Sequence, residues 1–193
     1  MKKIAGALLL SAFIATPALA DNTDTFYFGA DFGVGKCCNL TNYGGWPGWS
    51  NPAVFSIEGG YHFNPVLAVE MGYTTFGDSN GTSPSPFFPY PLTSATLSLS
   101  SFNVAFVGNL PLTQQFDLIG KIGLASNSEQ YSDASGGYGN YSQSDLMYGL
   151  GAEFHVSPQV SLRAMYNNYG KFDNYNPPVK VTSYTLGMVY NFY

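Results

Sequence analysis

The chain has 193 residues, enough for one domain, and it combines 17% aromatic residues with only 10% charged residues. A soluble protein needs about a quarter of its residues charged to cover its surface, so this composition argues against an ordinary soluble domain. The formal net charge is −5 and the basic residues are scattered, which excludes the basic surface that nucleic-acid binding requires. No internal segment approaches the about 18 apolar residues of a transmembrane helix.

The first twenty residues have the pattern of a secretory signal peptide. A positively charged start, Lys2-Lys3, precedes the apolar segment Ile4–Ile14 and the small-residue cleavage site Ala18–Ala20. We expect cleavage before Asp21, which leaves 21–193 as a single domain. That domain has five basic and twelve acidic residues and a formal charge of −7.

Apolar and polar residues alternate after residue 21, and helical periodicity is absent. In the first such segment Phe26, Phe28 and Phe32 share one face, while Tyr27 and Asp31 lie on the other. Alternation of this kind predicts strands with one apolar face. We predict eight of them, at 26–34, 54–63, 66–76, 95–110, 116–125, 146–156, 160–169 and 181–193.

The fourth strand is the least regular. Leu97 and Leu99 are out of phase with the apolar row that contains Phe102 and Val104. A β-bulge near Ser100-Ser101 would bring the two rows onto one face, and we predict one there.

The connections between the strands alternate in length. Short turns such as Asn64-Pro65 and Ser157-Pro158 alternate with long segments rich in Gly, Asn, Ser, Pro and aromatic residues. Short turns at one end, long loops at the other and strands of about ten residues are typical of a barrel in the outer membrane of a Gram-negative bacterium. Because lipid offers the backbone no hydrogen-bond partner, a sheet in a membrane must close on itself. The sequence therefore predicts an all-β protein, an eight-stranded antiparallel up-and-down transmembrane β-barrel.

The predicted inward face carries most of the charge in the strands. Unpaired buried charge is very unfavourable, so we expect these side chains to pair, with Glu70 or Glu153 as the partner of Arg163. Paired charges can form a structural plug or a gate for ions, and the sequence leaves both readings open. The predicted charge cluster contains Glu58, Glu70, Lys121, Glu153 and Arg163, with Asp31 also on the inward face.

Aromatic residues concentrate at the strand ends, as in the interfacial girdles of membrane barrels. The last strand must pair with the first to close the barrel, so we interpret Tyr190 and Phe192 as closure residues. Phe192 is in phase with the lipid-facing row and Tyr193 is not. The predicted girdle contains Phe63, Tyr73, Phe76, Phe154, Tyr166, Tyr169, Phe192 and Tyr193.

The mature chain resembles the transmembrane domain of the OmpA family of outer-membrane proteins and its short single-domain relatives of the OmpX and opacity-protein type. The resemblance rests on "FYFGADFGVGK", "GGYHFNPVLAVEMGYTTFG", "YGLGAEFHVSPQVSLRAMYNNYG" and "LGMVYNF". It implies a monomeric barrel with a polar, largely filled interior and a last strand that the outer-membrane assembly machinery reads. Full-length members carry a second, periplasmic domain, and a basic residue expected inside strand four is replaced here by Phe106 or Val107.

The long loops carry aromatic residues that are candidates for recognition of an extracellular ligand or host surface. They can equally pack on the rim and on outer-membrane lipid and lipopolysaccharide. These candidates are Trp46, Trp49, Phe87, Phe88 and Tyr138.

Two other features of the sequence bear on chemistry. The adjacent Cys37 and Cys38 are interpreted as loop thiols or a strained vicinal disulfide. His62 and His155 invite an enzyme reading, but a catalytic set needs Ser161 or Ser56 aligned with them, which the spacing does not require. We predict no enzyme, metal or cofactor.

Together these observations predict a structural and surface-interaction protein of the outer membrane, acting in adhesion or envelope integrity. The alternative is a small gated porin that passes ions or small solutes.

Overall fold

The computed structural model describes residues 23–36, 51–84, 92–134, 136–172 and 179–192. The predicted signal peptide and the Cys37-Cys38 pair lie outside these residues. The strands are β1 Thr25–Lys36, β2 Ala53–His62, β3 Leu67–Pro84, β4 Leu92–Pro111, β5 Phe116–Asp133, β6 Tyr138–His155, β7 Val160–Phe172 and β8 Val179–Phe192.

Each strand pairs antiparallel with the next, and β1 pairs with β8 to close the barrel. The predicted fold class is confirmed. Outward side chains are apolar and exposed, as Phe26, Phe106 and Leu186 show with exposed fractions of 64%, 67% and 71%. Inward neighbours such as Asp31 and Glu70 are buried. The alternation therefore separates a lipid-facing wall from a filled lumen.

Among the described residues, no helix has the length and hydropathy needed to span a membrane.

Four neighbouring strands are much longer than the sequence predicted. β3 to β6 have 18, 20, 18 and 18 residues, whereas β1, β2, β7 and β8 have 12, 10, 13 and 14. Much of the sequence assigned to loops at 78–93 and 127–143 continues as strand. The sequence of these segments is largely polar on both faces, so it carries no alternation of apolar and polar residues to detect. We call the strand residues of β3 to β6 that lie within 78–93 and 127–143 the outer sheet.

The predicted bulge in β4 is wrong. β4 pairs with β5 without interruption from Ala95 to Pro111. The register shift lies instead in β3, between Phe76 and Ser79. Leu97 and Leu99 are simply inward-facing, so no bulge is needed to place them.

The outer half of the lumen contains a cluster of buried apolar side chains. Phe76 and Tyr169, predicted to lie in the girdle, point inward instead, and their rings meet edge to face at 5.7 Å. Both are 2% exposed or less, which agrees with their strand parity rather than with their position at strand ends. This outer apolar cluster contains Val54, Phe76, Leu97, Leu99, Ala125, Met147, Tyr169 and Val181.

A second group of buried apolar side chains lies mainly in the strand halves next to the short turns. This inner apolar cluster contains Tyr27, Ala68, Val107, Ile119, Met165 and Val189. Val107 occupies the place in strand four where a basic residue was expected. The interior is therefore filled, as predicted, but a large part of the filling is apolar.

Candidate functional site: the charge cluster in the lumen

Two cations and three carboxylates meet in the middle of the lumen. Lys121 Nζ lies 2.8 Å from Glu58 Oε2 and 2.5 Å from Glu70 Oε1. Arg163 Nη2 lies 2.5 Å from Glu58 Oε2 and 3.5 Å from Asp31 Oδ2, and its Nη1 lies 3.2 Å from Glu70 Oε2. The side chains of this charge cluster are at most 6% exposed, so the ions pair with each other and not with water.

The alternation of the strands points these groups into the lumen, and a nearby glycine leaves space for one of them. The five side chains come from inward positions of β1, β2, β3, β5 and β7, so the cluster ties strands from opposite walls together. Gly187 of β8 leaves room for Asp31, because a Cβ there would lie 1.8 Å from Asp31 Oδ1. The hydroxyl of Tyr27 donates to Glu70 Oε2 at 2.9 Å, which links the cluster to the inner apolar cluster.

Glu153 was expected as a partner of Arg163, and the structure does not pair them. The two residues are opposite each other in the β6–β7 register, but the guanidinium extends across the lumen to carboxylates on β1, β2 and β3. Glu153 Oε1 instead lies 3.8 Å from His155 Nδ1. Asp31 therefore takes the position in the cluster that was expected for Glu153.

His155 does meet a serine and an acid near the short turns. Its Nδ1 lies 2.8 Å from Ser161 Oγ, and its Nε2 lies 3.1 Å from Asp117 Oδ2. The sequence spacing gave no reason to expect this contact, because Asp117 comes from β5. Ser161 is 0% exposed, so its hydroxyl is a buried member of a polar network that closes the turn end of the lumen. Among the described residues, no group of three or more His, Cys, Asp or Glu side chains could hold a metal ion.

The last strand completes the wall. Phe192 pairs with Phe26 and Tyr190 pairs with Phe28 in the β1–β8 register. Phe192 and Tyr190 are 54% and 41% exposed on the lipid side, and their rings are 5.1 Å apart. Tyr193 lies outside the described residues.

Of the five loop residues proposed as recognition candidates, the structure describes one. Trp46, Trp49, Phe87 and Phe88 lie outside the described residues. Tyr138 begins β6 at the tip of the outer sheet and is 72% exposed. Its ring is thus exposed at the tip of the outer sheet.

The comparisons with known proteins agree with this architecture. Residues 5–192 match the profile of the family described as "Outer membrane protein beta-barrel domain". The chain is 27% identical over 201 residues to outer membrane protein P5 of Haemophilus influenzae, covering 93% of this chain and 54% of that protein. It therefore spans about half the length of the curated relatives that it matches.

Solved structures show the same fold. OprG of Pseudomonas aeruginosa superposes with a TM-score of 0.63 at 11% identity, over 89% of this chain and 97% of that chain. Neisserial surface protein A superposes with a TM-score of 0.62 at 19% identity, over 86% and 97%. Ail of Yersinia pestis, solved with the heparin analogue sucrose octasulfate, gives 0.55 at 21% identity over 88% and 97%. With its closed wall, apolar outer face and matching profile, this chain belongs to the family of outer-membrane protein β-barrel domains.

Proposed function

We propose that this protein is a non-conducting structural barrel of the outer membrane, and that its outer sheet and loops make contacts at the cell surface. The observation that supports this most directly is the packing of the lumen. The outer apolar cluster covers the charge cluster on the loop side, and the members of both are buried. Ions that moved through this lumen would have to displace tightly packed side chains, because the polar groups at this level, such as the Tyr169 hydroxyl with Thr74 and Ser183, already bond one another.

A gated pore is the second candidate. One observation favours it: Lys121 and Arg163 both bind Glu58 and Glu70, so the cluster can exchange partners without leaving a charge unpaired. The side chains of the outer apolar cluster would still have to move aside, because Phe76 and Tyr169 fill the lumen above the ions.

Planar-bilayer recording separates these candidates. We expect the wild-type protein to give no discrete openings. The double variant Phe76→Ser/Tyr169→Ser removes the two rings that fill the lumen above the ions, and we expect it to conduct measurably because water can then reach the charge cluster. Channel-sized openings of the wild type would contradict the proposal that the lumen does not conduct.

No catalytic role is included in this proposal. The geometry of Asp117, His155 and Ser161 resembles that of a serine hydrolase, but the hydroxyl of Ser161 has no exposed surface through which to reach a substrate.

The surface role is assigned to the outer sheet. Its polar hairpins extend above the wall formed by the shorter strands, and they carry exposed Tyr138 and Tyr141. Exposed tyrosines among Ser, Gly and Asn give rigid contact area beside adaptable hydrogen-bonding groups, a composition found in recognition surfaces.

Trimming one hairpin tests the surface role. Tyr131 and Gly139 are paired, so an Asn-Gly turn can replace 132–138, which removes Tyr138 and keeps the β5 residues that pair with Leu97 and Leu99. In a strain lacking the protein, we expect the trimmed form to restore resistance to detergent and vancomycin, but not adherence to cultured epithelial cells. The single variant Tyr138→Ser serves as the smaller change. Full adherence by the trimmed form would show that this hairpin is not the contact surface.

A further inference from the structure

His62 and His155 are the two histidines of the chain, and they occupy equivalent positions in two hairpins. Each is the last residue of its strand, β2 or β6, and each lies three residues before the proline of a short turn. Both side chains point into the lumen at its turn end, but the groups that surround them differ.

Both histidines lie at the level of the turns, outside the part of the wall that faces hydrocarbon. The backbone N–H of His155 donates to the carbonyl of Gln115, in the turn between β4 and β5, at 2.8 Å. Next to His62, the N–H of Phe63 donates to the carbonyl of Leu67 at 3.0 Å and closes the turn between β2 and β3. The side chain of His155 is 18% exposed, so its ring can exchange a proton with water.

Two carboxylates face each other beside His155. Asp117 and Glu153 are directly opposite in the β5–β6 register, and both point inward. Like charges in directly opposite positions of a sheet destabilise the pairing of the strands. The two side chains are 10% and 13% exposed, so water screens their repulsion only in part. The arrangement therefore favours a cation between them.

His155 is the group that can supply this cation. Its Nε2 lies 3.1 Å from Asp117 Oδ2, and its Nδ1 lies 3.8 Å from Glu153 Oε1. Arg163 is opposite Glu153 in the β6–β7 register, but its guanidinium extends to the charge cluster, where Lys121 is also bound. Within the part of the chain that the structure describes, neither of these opposed carboxylates forms an ion pair with a lysine or an arginine.

Ser161 of β7 accommodates both charge states of the ring. Its hydroxyl lies 2.8 Å from His155 Nδ1, and it can donate to the neutral ring or accept from the protonated one. The Nε2–H group donates to Asp117 in either state. Loss of the proton therefore keeps both hydrogen bonds and removes only the ion pairing with the two carboxylates.

The other groups at the turn end do not supply this charge. His62 is 7% exposed, and its ring centroid lies 4.7 Å from that of Tyr27 on β1. No described residue hydrogen-bonds His62 Nδ1, and burial of this kind favours the neutral ring. Tyr27 itself donates to Glu70 of β3, which belongs to the charge cluster. The turn ends of β4 and β8 carry the uncharged residues Asn109 and Asn191.

We propose that Asp117, Glu153 and His155 form a proton-binding site that stabilises the turn end of the barrel. The proton that His155 binds offsets the repulsion between the opposed carboxylates of β5 and β6. When the proton leaves, the carboxylates repel each other and the pairing of these strand ends weakens. This inference is independent of the closed lumen and of the surface role proposed above.

The sign of the pH dependence follows from the surroundings of each histidine. The hydrogen bond with Asp117 raises the pKa of His155, and the charge of Glu153 acts in the same direction. The stability that His155 contributes is therefore complete below its unfolded pKa of about 6.5, and it is lost as the pH rises through the folded value. Burial lowers the pKa of His62 to about 4, so His62 acts in the opposite sense and destabilises the fold as the pH falls below about 6.5.

A nuclear magnetic resonance titration tests proton binding directly. The barrel in detergent micelles, labelled at the histidine ring carbons, gives two histidine signals, and His62→Gln identifies the signal of His155. We expect His155 to titrate above the pKa of a free histidine and His62 to titrate below it. Asp117→Asn should lower the titration midpoint of His155. A wild-type midpoint for His155 at or below that of free histidine would overturn the site.

Urea unfolding in lipid vesicles tests the effect on stability. Between about pH 5 and about pH 8 the folding equilibrium constant of the wild type, relative to that of His155→Gln, should fall about fivefold, the upper end for a partly exposed ion pair. His62→Gln is the matched control, and relative to it the wild type should lose stability as the pH falls. If His155→Gln does not fold, Asp117→Asn provides the same comparison. A ratio that stays constant with pH would show that the proton does not stabilise the turn end.

Discussion

Replacing Arg163 with methionine is expected to lower the free energy of unfolding by about 3–5 kcal/mol, the scale for breaking one side of a buried ion pair. The variant leaves three buried carboxylates with Lys121 as their remaining cation. Urea unfolding of the barrel in lipid vesicles, followed by the heat-modifiable folded fraction, measures the loss.

Two further variants identify the partners of Arg163. Glu58→Gln added to Arg163→Met should recover part of the loss, because the amide removes a charge that the arginine had compensated. Glu153→Gln serves as the control and should change stability little, since Glu153 lies beside His155. If the losses were simply additive when Arg163→Met is combined with changes at Asp31, Glu58 or Glu70, the cluster would not act as a unit.

Removing the ring of Phe192 is expected to reduce assembly into the outer membrane severely. Phe192 lies on the lipid side of β8 opposite Phe26, so its ring anchors the end of the strand that closes the barrel. The folded fraction of Phe192→Ala in outer-membrane preparations measures this effect.

Tyr193 provides the matched control for the last strand. Tyr193→Ala and deletion of Tyr193 should leave most of the protein folded, because the alternation assigns the lipid-facing position to Phe192. Equal folded fractions for all three variants would mean that the end of the strand is anchored in another way.

Much of this molecule follows from alternation with a period of two. That pattern gave the eight strands, the lipid-facing wall and four of the five residues named for the charge cluster as neighbours in the structure. The girdle prediction is wrong for Phe76 and Tyr169 because it relied on their position at a strand end, whereas their parity in the strand points them into the lumen. In a barrel the parity of a residue is fixed by the wall, whereas aromatic residues also serve inside a lumen.

Other features depend on contacts that sequence does not encode locally. Arg163 bypasses Glu153, its opposite residue, because its long side chain spans a narrow lumen. The outer sheet was missed because its residues are largely polar on both faces and give no alternating pattern. Lys36, Lys171 and Lys180 each border a long loop in the sequence, but only barrel closure shows that the three strand ends that carry them are neighbours.

Because the charge cluster is buried, the salt concentration of the surrounding medium has little effect on the strength of its ion pairs. Mobile ions screen exposed charges over about 8–10 Å at ordinary ionic strength, but buried pairs are screened far less. The side chains of Lys121 and Glu70 are 0% and 1% exposed. A cell that moves between dilute and saline surroundings would therefore keep nearly the same electrostatic contribution from these pairs.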